Sequence, residues 1–232
     1  MNNLTLIIPA KYERESLPAV LDEILKISLG CKLKICLSKN DLETLDAIKK
    51  YPAEVLFQKN LGYGAAITEG IENNTNEFFC IFNADGSFNP NELPNMMKLM
   101  QEKNLDFLFA SRYLKNSGSE DDTLLTWTGN KIFSLIGKIL FNLPISDILY
   151  TYTMGRTSSF KKLSVKEKDF RLCVELPIKA KKFGLRFLDI SSYERPRIAG
   201  KKKVNAFKDG FLILFEMVKL FFRYKIVRNN KI

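Results

Sequence analysis

Phe78-Phe-Cys-Ile-Phe-Asn-Ala-Asp-Gly-Ser-Phe-Asn-Pro-Asn-Glu92 decides how this chain is read. An apolar run rich in aromatic residues ends in Asn83 and Asp85, Gly86 permits a turn, and Pro90 opens a helical stretch. That pattern is a buried strand running through a loop into a helix. Asn83 and Asp85, one residue apart at a strand end, can turn two side-chain oxygens toward one ligand. A hard cation such as Mg²⁺ or Mn²⁺ takes such oxygens and shares its remaining positions with phosphates. The same residues equally suit an Asx turn that caps the helix and binds nothing.

Working outward, the flanking sequence repeats this alternation. Leu4–Pro9, Leu33–Leu37, Glu54–Phe57 and Leu105–Ala110 read as further buried strands. Helices are expected near Ser16–Leu29, Asp41–Tyr51, Gly64–Asn73 and Asn91–Lys103. Strand and helix in strict alternation predict an α/β fold, a mostly parallel sheet with helices on both faces. Ligands collect at the carboxyl ends of such strands. Polar clusters fall at three of those ends: Ala10–Glu13, Ser38–Asp41 and Asn83–Ser87. Asn60-Leu-Gly-Tyr-Gly-Ala-Ala66 adds a glycine turn opening a helix. Its N–H groups can cradle an anion; equally, Gly62 and Gly64 would only let the helix pack closely on the sheet.

Beyond residue 110 the pattern loosens. Ser111–Thr123 reads as a mobile polar loop, Leu124–Asn142 as a helix, and the stretch to about Phe160 as irregular. A helix at Leu172–Phe183, a strand at Leu185–Ile190, the basic segment Arg195–Lys203 and a last helix at Ala206–Val227 complete the reading.

With 232 residues, 46% of them hydrophobic, the chain suits one α/β domain and is too apolar for disorder. No segment reaches the roughly 20 apolar residues of a spanning helix. The start, MNNLTLIIPA, lacks the basic and long apolar regions of a signal peptide. Cys31, Cys36, Cys80 and Cys173 form no CxxC pair and the chain has no histidine, so reduced thiols of a cytosolic protein are expected in place of a zinc site. Residues 1–110 hold 11 Lys/Arg against 15 Asp/Glu, a net of −4, whereas residues 111–232 hold 25 against 11, a net of +14. The basic half points to an anionic partner. Nucleic acid is set aside, because no recognition motif or aromatic-basic platform accompanies the charge.

Together these segments resemble the family 2 glycosyltransferases with a GT-A fold, within them the dolichyl-phosphate mannose synthase-like branch. Leu6-Ile-Ile-Pro-Ala-Lys-Tyr-Glu13 resembles the family's Pro-Thr-Tyr-Asn-Glu segment, and Lys59-Asn-Leu-Gly-Tyr-Gly64 its Arg-Asn-x-Gly-x-Gly turn. Asn83-Ala-Asp85 stands at its Asp-Ala-Asp motif, and Ser111-Arg-Tyr113 at its Gly-Ser-Arg-Tyr. Glu175, Lys179-Ala180 and Gly184 match its Glu…Lys-Ala…Gly helix, while Arg197 and Gly200-Lys-Lys-Lys203 resemble its phosphate-binding segment. Two departures stand out: Asn83 replaces the first aspartate, and Ser38-Lys39 replaces a pair of acids.

The resemblance implies a GT-A domain over residues 1–205 that takes a nucleotide-sugar donor and inverts the anomeric carbon. It implies Asp85, Arg112, Arg197 and Lys203 as catalytic residues. Pro9, Lys11, Glu13, Lys39, Gly62, Asn83, Ala84 and Asp85 are implied to bind the nucleotide, with Asp85 and Asn83 on Mg²⁺ or Mn²⁺. A phosphate acceptor needs no general base, since a monoester's second pKa is about 6. The lack of histidine therefore leans toward a polyprenyl phosphate or other lipid-linked acceptor. A saccharide hydroxyl acceptor, as in surface-polysaccharide synthesis, would instead recruit Glu120, Asp121 or Asp122 as base. The lost acids also leave open a catalytically silent relative that binds nucleotide or lipid. Phe207, Phe211, Phe215, Val218 and Phe222 recur at helical spacing, with Arg223, Lys225, Arg228 and Lys231 beyond. Residues 206–232 thus read as an amphipathic helix on an anionic membrane surface, with the enzyme peripheral on the cytoplasmic face. A terminal helix packed on the core fits the spacing equally well.

Overall fold

A computed structural model describes residues 1–27, 29–200 and 205–229, the side chains of 225–229 excepted. The chain begins with β1 (Leu4–Ala10), α1 (Leu17–Lys26), β2 (Lys32–Leu37), α2 (Leu42–Ile48), β3 (Glu54–Phe57), α3 (Tyr63–Glu72) and β4 (Phe78–Ile81). It continues with α4 (Leu93–Glu102), β5 (Phe107–Ser111), the short β6 (Gly118–Ser119) and α5 (Leu124–Phe141). Then come β7 (Thr153–Arg156), α6 (Thr157–Leu163), α7 (Leu172–Lys182), β8 (Phe187–Ser191), β9 (Tyr193–Glu194) and α8 (Ala206–Asn229).

Seven strands form one sheet in the order β3-β2-β1-β4-β7-β5-β8, as the alternating sequence predicts, and all but β7 run parallel. The adjacency of β2, β1 and β4 brings three of the polar strand ends side by side. One apolar layer packs α1 and α4 against one face through Leu17, Leu21, Leu93 and Met96. The other layer holds Ile67, Phe160, Leu176, Ile213, Met217 and Leu220. α8 is therefore seated in the same core as α3, α6 and α7.

The stretch read as irregular contains β7 and α6. β7 is antiparallel to both neighbours and has Gly155 at its centre, where an added Cβ would come within 2.6–2.8 Å of the Phe79 and Phe107 rings. The glycine that hides the strand in the sequence makes room for two aromatic neighbours. Ser111–Thr123 likewise departs from the expected mobile loop. β6 pairs with β9, and the backbone N–H of Glu120 donates to Glu194 O at 3.0 Å. The segment is stitched to a partner some 75 residues away, which local composition cannot reveal.

Candidate active site

The Asn83–Ser87 loop is fixed first by backbone. The N–H of Phe82 donates to Ile7 O at 2.9 Å, carrying β4 past its last paired residue. The N–H groups of Arg195 and Ile198 then donate to Ser87 O at 2.9 Å and Asp85 O at 2.8 Å, laying the 195–198 segment along the loop. Asp85 Oδ1 accepts from the Ser87 N–H at 3.0 Å and Ser87 Oγ at 2.7 Å. An Asx turn is thus present, but the following helical turn is capped by Asn89 and not by Asp85, and the turn consumes only one carboxylate oxygen. Asp85 Oδ2 faces Arg197 Nη1 at 3.5 Å, and Arg197 Nη2 lies 3.4 Å from Asp121 Oδ2. Arg197 Nε is buried with no hydrogen-bond partner among the described residues. Arg195 Nε is buried and unpaired in the same way, so what opens this site is the looseness of the Arg197 ion pairs at 3.4–3.5 Å, which suits an incoming diphosphate.

No group of three or more acidic, cysteine or histidine side chains able to hold a metal occurs among the described residues. A divalent cation here would rest on Asp85 Oδ2 and draw its other oxygens from a diphosphate and water, the manner in which Mg²⁺ is commonly held. The donor set fits that arrangement and no all-protein cage. Asn83, the other expected ligand, spends Oδ1 on the Tyr63 hydroxyl at 3.1 Å and Nδ2 on Ser87 Oγ at 3.4 Å.

At the end of β1, Tyr12 stands in the left-handed region, its N–H donating to Asp41 Oδ2 at 2.6 Å. The Glu13 N–H donates to Thr44 Oγ1 at 3.0 Å, and Glu13 Oε2 accepts from Ser16 Oγ at 2.7 Å. Gly200 approaches that same carboxylate. A cavity of about 340 Å³ opens here between Tyr12, Glu13, Ser16 and Glu43 on one side and Ala199 and Gly200 on the other. The 195–200 segment therefore spans from Asp85 to Glu13. Lys11 lies beside the Tyr12 ring, and Lys39 is exposed on the adjoining strand end. Pro9 and Ala84 are buried, so their side chains belong to the core.

Gly62 was expected at the nucleotide, but a Cβ there would lie 2.1 Å from Lys168 O, and its φ is +126°. The Ala65 N–H donates to that same carbonyl at 2.9 Å. The glycine turn is thus covered by the backbone of residues 167–169, a loop contact and not the close packing on the sheet that the sequence left open.

Arg112 also departs from its expected catalytic place. Nε and Nη2 donate to the two oxygens of Asp147 at 2.7 and 3.0 Å, and Nη1 donates to Glu194 Oε2 at 3.1 Å. Asp122 closes the cluster at 3.6 Å. Burial lowers the guanidinium's pKa, but Asp147 and Glu194 outweigh it and hold it well above its ordinary value. Burial pushes the Glu194 carboxyl up against the pull of Arg112. Asp122 further accepts from the Tyr113 hydroxyl at 2.9 Å and Thr126 Oγ1 at 2.9 Å. Of the three acids considered as bases, Asp122 is thus locked in this cluster, Asp121 faces Arg197, and Glu120 is exposed. Lys203 lies outside the described residues. Sequence reasoning gave no role to Tyr63, Ser87, Asp147, Glu194 and Arg195; Tyr63, Ser87 and Arg195 lie within stretches it singled out, whereas no local signal marks Asp147 or Glu194.

The model for glycosyl transferase family 2 matches residues 5–164. An uncharacterized glycosyltransferase of Mycobacterium bovis is 26% identical over 215 residues, covering 90% of this chain and 93% of the relative. Glucosyl-3-phosphoglycerate synthase from Mycobacterium tuberculosis, solved with Mn²⁺, uridine diphosphate and glucosyl-3-phosphoglycerate, superposes with a TM-score of 0.75 at 10% identity. That superposition covers 94% of this chain and 79% of the synthase. Mannosyl-3-phosphoglycerate synthase from Rubrobacter xylanophilus gives a TM-score of 0.72 at 14% identity, over 99% of this chain and 75% of that one. At these identities the two synthases establish the GT-A-like fold alone.

Proposed function

The chain belongs to glycosyl transferase family 2, and we propose that it moves a sugar from a nucleoside-diphosphate donor to a phosphate-bearing acceptor, with inversion. The observation carrying this reading is the Asp85–Arg197 pair, an acid and a cation at a strand end whose 3.5 Å contact is loose enough to admit a diphosphate. In the reaction the bond from the anomeric carbon to the diphosphate oxygen breaks, and its electron pair leaves with the nucleoside diphosphate. An acceptor oxygen forms the new bond from the opposite face. Arg197 neutralises charge developing on the diphosphate, Asp85 anchors the cation's side of that group, and the Glu13–Gly200 cavity takes the nucleoside. A divalent cation, when bound, supplies further electrostatic stabilisation of the leaving group.

The acceptor favoured here is a polyprenyl phosphate, as in the dolichyl-phosphate mannose synthase-like branch. A phosphate oxyanion needs no base, which suits a chain without histidine whose Asp122 is locked in an ion cluster. The outer side of α8 supports a lipid setting. Phe207, Phe211, Phe215 and Phe222 are each more than half exposed, while Ile213, Met217 and Leu220 on the inner side are buried. No helix among the described residues is long and apolar enough to cross a membrane, so α8 is read as lying on the surface of the cytoplasmic leaflet. A second reading, a small phosphorylated acid as acceptor, rests on the synthases solved with phosphoglyceric acid.

The test is transfer of labelled sugar from a panel of nucleotide sugars with Mn²⁺, to polyprenyl phosphate in vesicles or to 3-phosphoglycerate in solution. Transfer to the vesicle acceptor is expected. Transfer only to phosphoglycerate selects the second reading, and no transfer with any donor overturns both. Asp85→Ala is expected to lower turnover by about a hundred- to a thousandfold, and full activity in that variant would remove the role given to Asp85.

A further inference from the structure

Tyr63 reaches the Asn83–Ser87 loop from the glycine turn that is covered by the Lys168 backbone. Its hydroxyl lies 3.1 Å from Asn83 Oδ1 and 2.8 Å from Thr151 Oγ1, and its ring stacks on Phe170 at 4.8 Å. Beyond Asn83, the amide Nδ2 is 3.4 Å from Ser87 Oγ, and Ser87 Oγ is 2.7 Å from Asp85 Oδ1. These contacts form one unbroken path from α3 to Asp85.

The direction of every bond follows from its end. An ionised carboxylate only accepts, so the single proton of Ser87 Oγ goes to Asp85. Ser87 oxygen must then accept, which requires Asn83 to present its NH₂ to Ser87 and its carbonyl oxygen to Tyr63. Tyr63 spends its one proton on that carbonyl, so Thr151 donates to Tyr63. Only an amide can serve at position 83: it accepts on one side and donates on the other, whereas a carboxylate would offer Ser87 no donor.

We propose that Thr151, Tyr63, Asn83 and Ser87 form a directional relay that holds Asp85 with Oδ1 turned inward and Oδ2, which faces Arg197 at 3.5 Å, toward the place of a divalent cation. Tyr63, Asn83 and Ser87 are positioning residues, and Asn83 is a working part of the site in place of a lost ligand. The proposal rests on the donor-site reading above and specifies how Asp85 is aimed. Partners that orient a metal ligand typically alter metal affinity by about ten- to a hundredfold when removed.

The experiment uses the full chain and Mn²⁺ as probe, with free Mn²⁺ counted by electron paramagnetic resonance in the presence of uridine diphosphate. Tyr63→Phe keeps the stacked ring and removes only the hydroxyl. It is expected to raise the Mn²⁺ Kd by about tenfold, with turnover restored at saturating Mn²⁺, a rescue that a general loss of packing would not give. Ser87→Ala should raise the Kd as well, and Asn83→Ala added to it should raise it little further, because both cut one path. An unchanged Kd in Tyr63→Phe, a rate that excess Mn²⁺ does not restore, or strictly additive effects of the Asn83 and Ser87 variants would overturn the relay. If the parent chain itself holds no Mn²⁺, the donor-site reading fails separately. The relay is then judged by the crystal structure of Tyr63→Phe, which supports it if Asp85 has rotated and overturns it if Asp85 and Ser87 are unmoved.

Discussion

Two arginines on neighbouring loops, Arg112 and Arg197, face carboxylates and end in opposite conditions. Arg112 has Nε, Nη1 and Nη2 on Asp147 and Glu194 and is about nine-tenths covered. Arg197 reaches Asp85 and Asp121 at 3.5 and 3.4 Å, with Nε buried and unpaired among the described residues. The first is a finished structural lock. The second is held only by contacts of 3.4–3.5 Å, loose enough for a ligand to displace; its unmet Nε is a feature shared with Arg195 and by itself marks no site. Saturation of hydrogen bonding separates the two, and residue type does not.

Arg112→Ala puts the largest strain on this contrast. It strips the countercharge from Asp147, which is 1% exposed, and from Glu194. Breaking a buried ion cluster from one side costs about 3–5 kcal/mol. Loss of folding stability of that size is expected in urea titration, with β6 and β9 among the first elements to open. A variant as stable as the parent but inactive would mean that Arg112 acts on substrate and that the lock reading is wrong.

Arg197→Ala should behave in the opposite sense. Its two ion pairs are long and partly solvated, so about 1 kcal/mol or less of stability is at stake. Turnover should nonetheless fall by about a hundredfold, with the deficit in kcat more than in KM if Arg197 acts on charge developing in the leaving group. Equal losses of stability and activity would erase the distinction between the two arginines.

The contrast also explains what the sequence made legible. Asp85 was readable because strand, turn and acid are contiguous, and a parallel sheet gathers such strand ends by topology alone. β1 to β5 were likewise visible as apolar runs between helical periods. Arg112 is assigned to catalysis through the resemblance of Ser111-Arg-Tyr113 to a family motif, and its partners Asp147 and Glu194, 35 and 82 positions away, lie beyond any local pattern. Tyr63 was lost for the same reason: nothing near a Gly-Tyr-Gly turn announces a hydroxyl contact with Asn83. β7 escaped because it is only four residues long and Gly155 cuts short the β-prone run Tyr150-Thr-Tyr-Thr153, the glycine being there to clear the Phe79 and Phe107 rings.

α8 repeats the contrast in apolar terms and supplies the smallest expected effect on stability. On its inner side Glu216 is buried and accepts from Lys219 at 2.6 Å, and Met217 and Leu220 are fully covered. On its outer side Phe211 is 70% and Phe215 is 58% exposed. Changing both to Asp touches little of the core, so stability should stay within about 0.5 kcal/mol of the parent. If the helix lies on an anionic leaflet, the same pair removes its deepest apolar anchors and adds two repelled charges. Flotation with vesicles containing phosphatidylserine should then fall at every ionic strength. Binding of the parent should weaken as salt rises, because each basic residue near such a surface contributes about 1 kcal/mol through a screened interaction. A double variant that unfolds would show that these phenylalanines are covered by protein. One that folds and floats as well as the parent would take the membrane away from α8 and leave its outer phenylalanines for another partner.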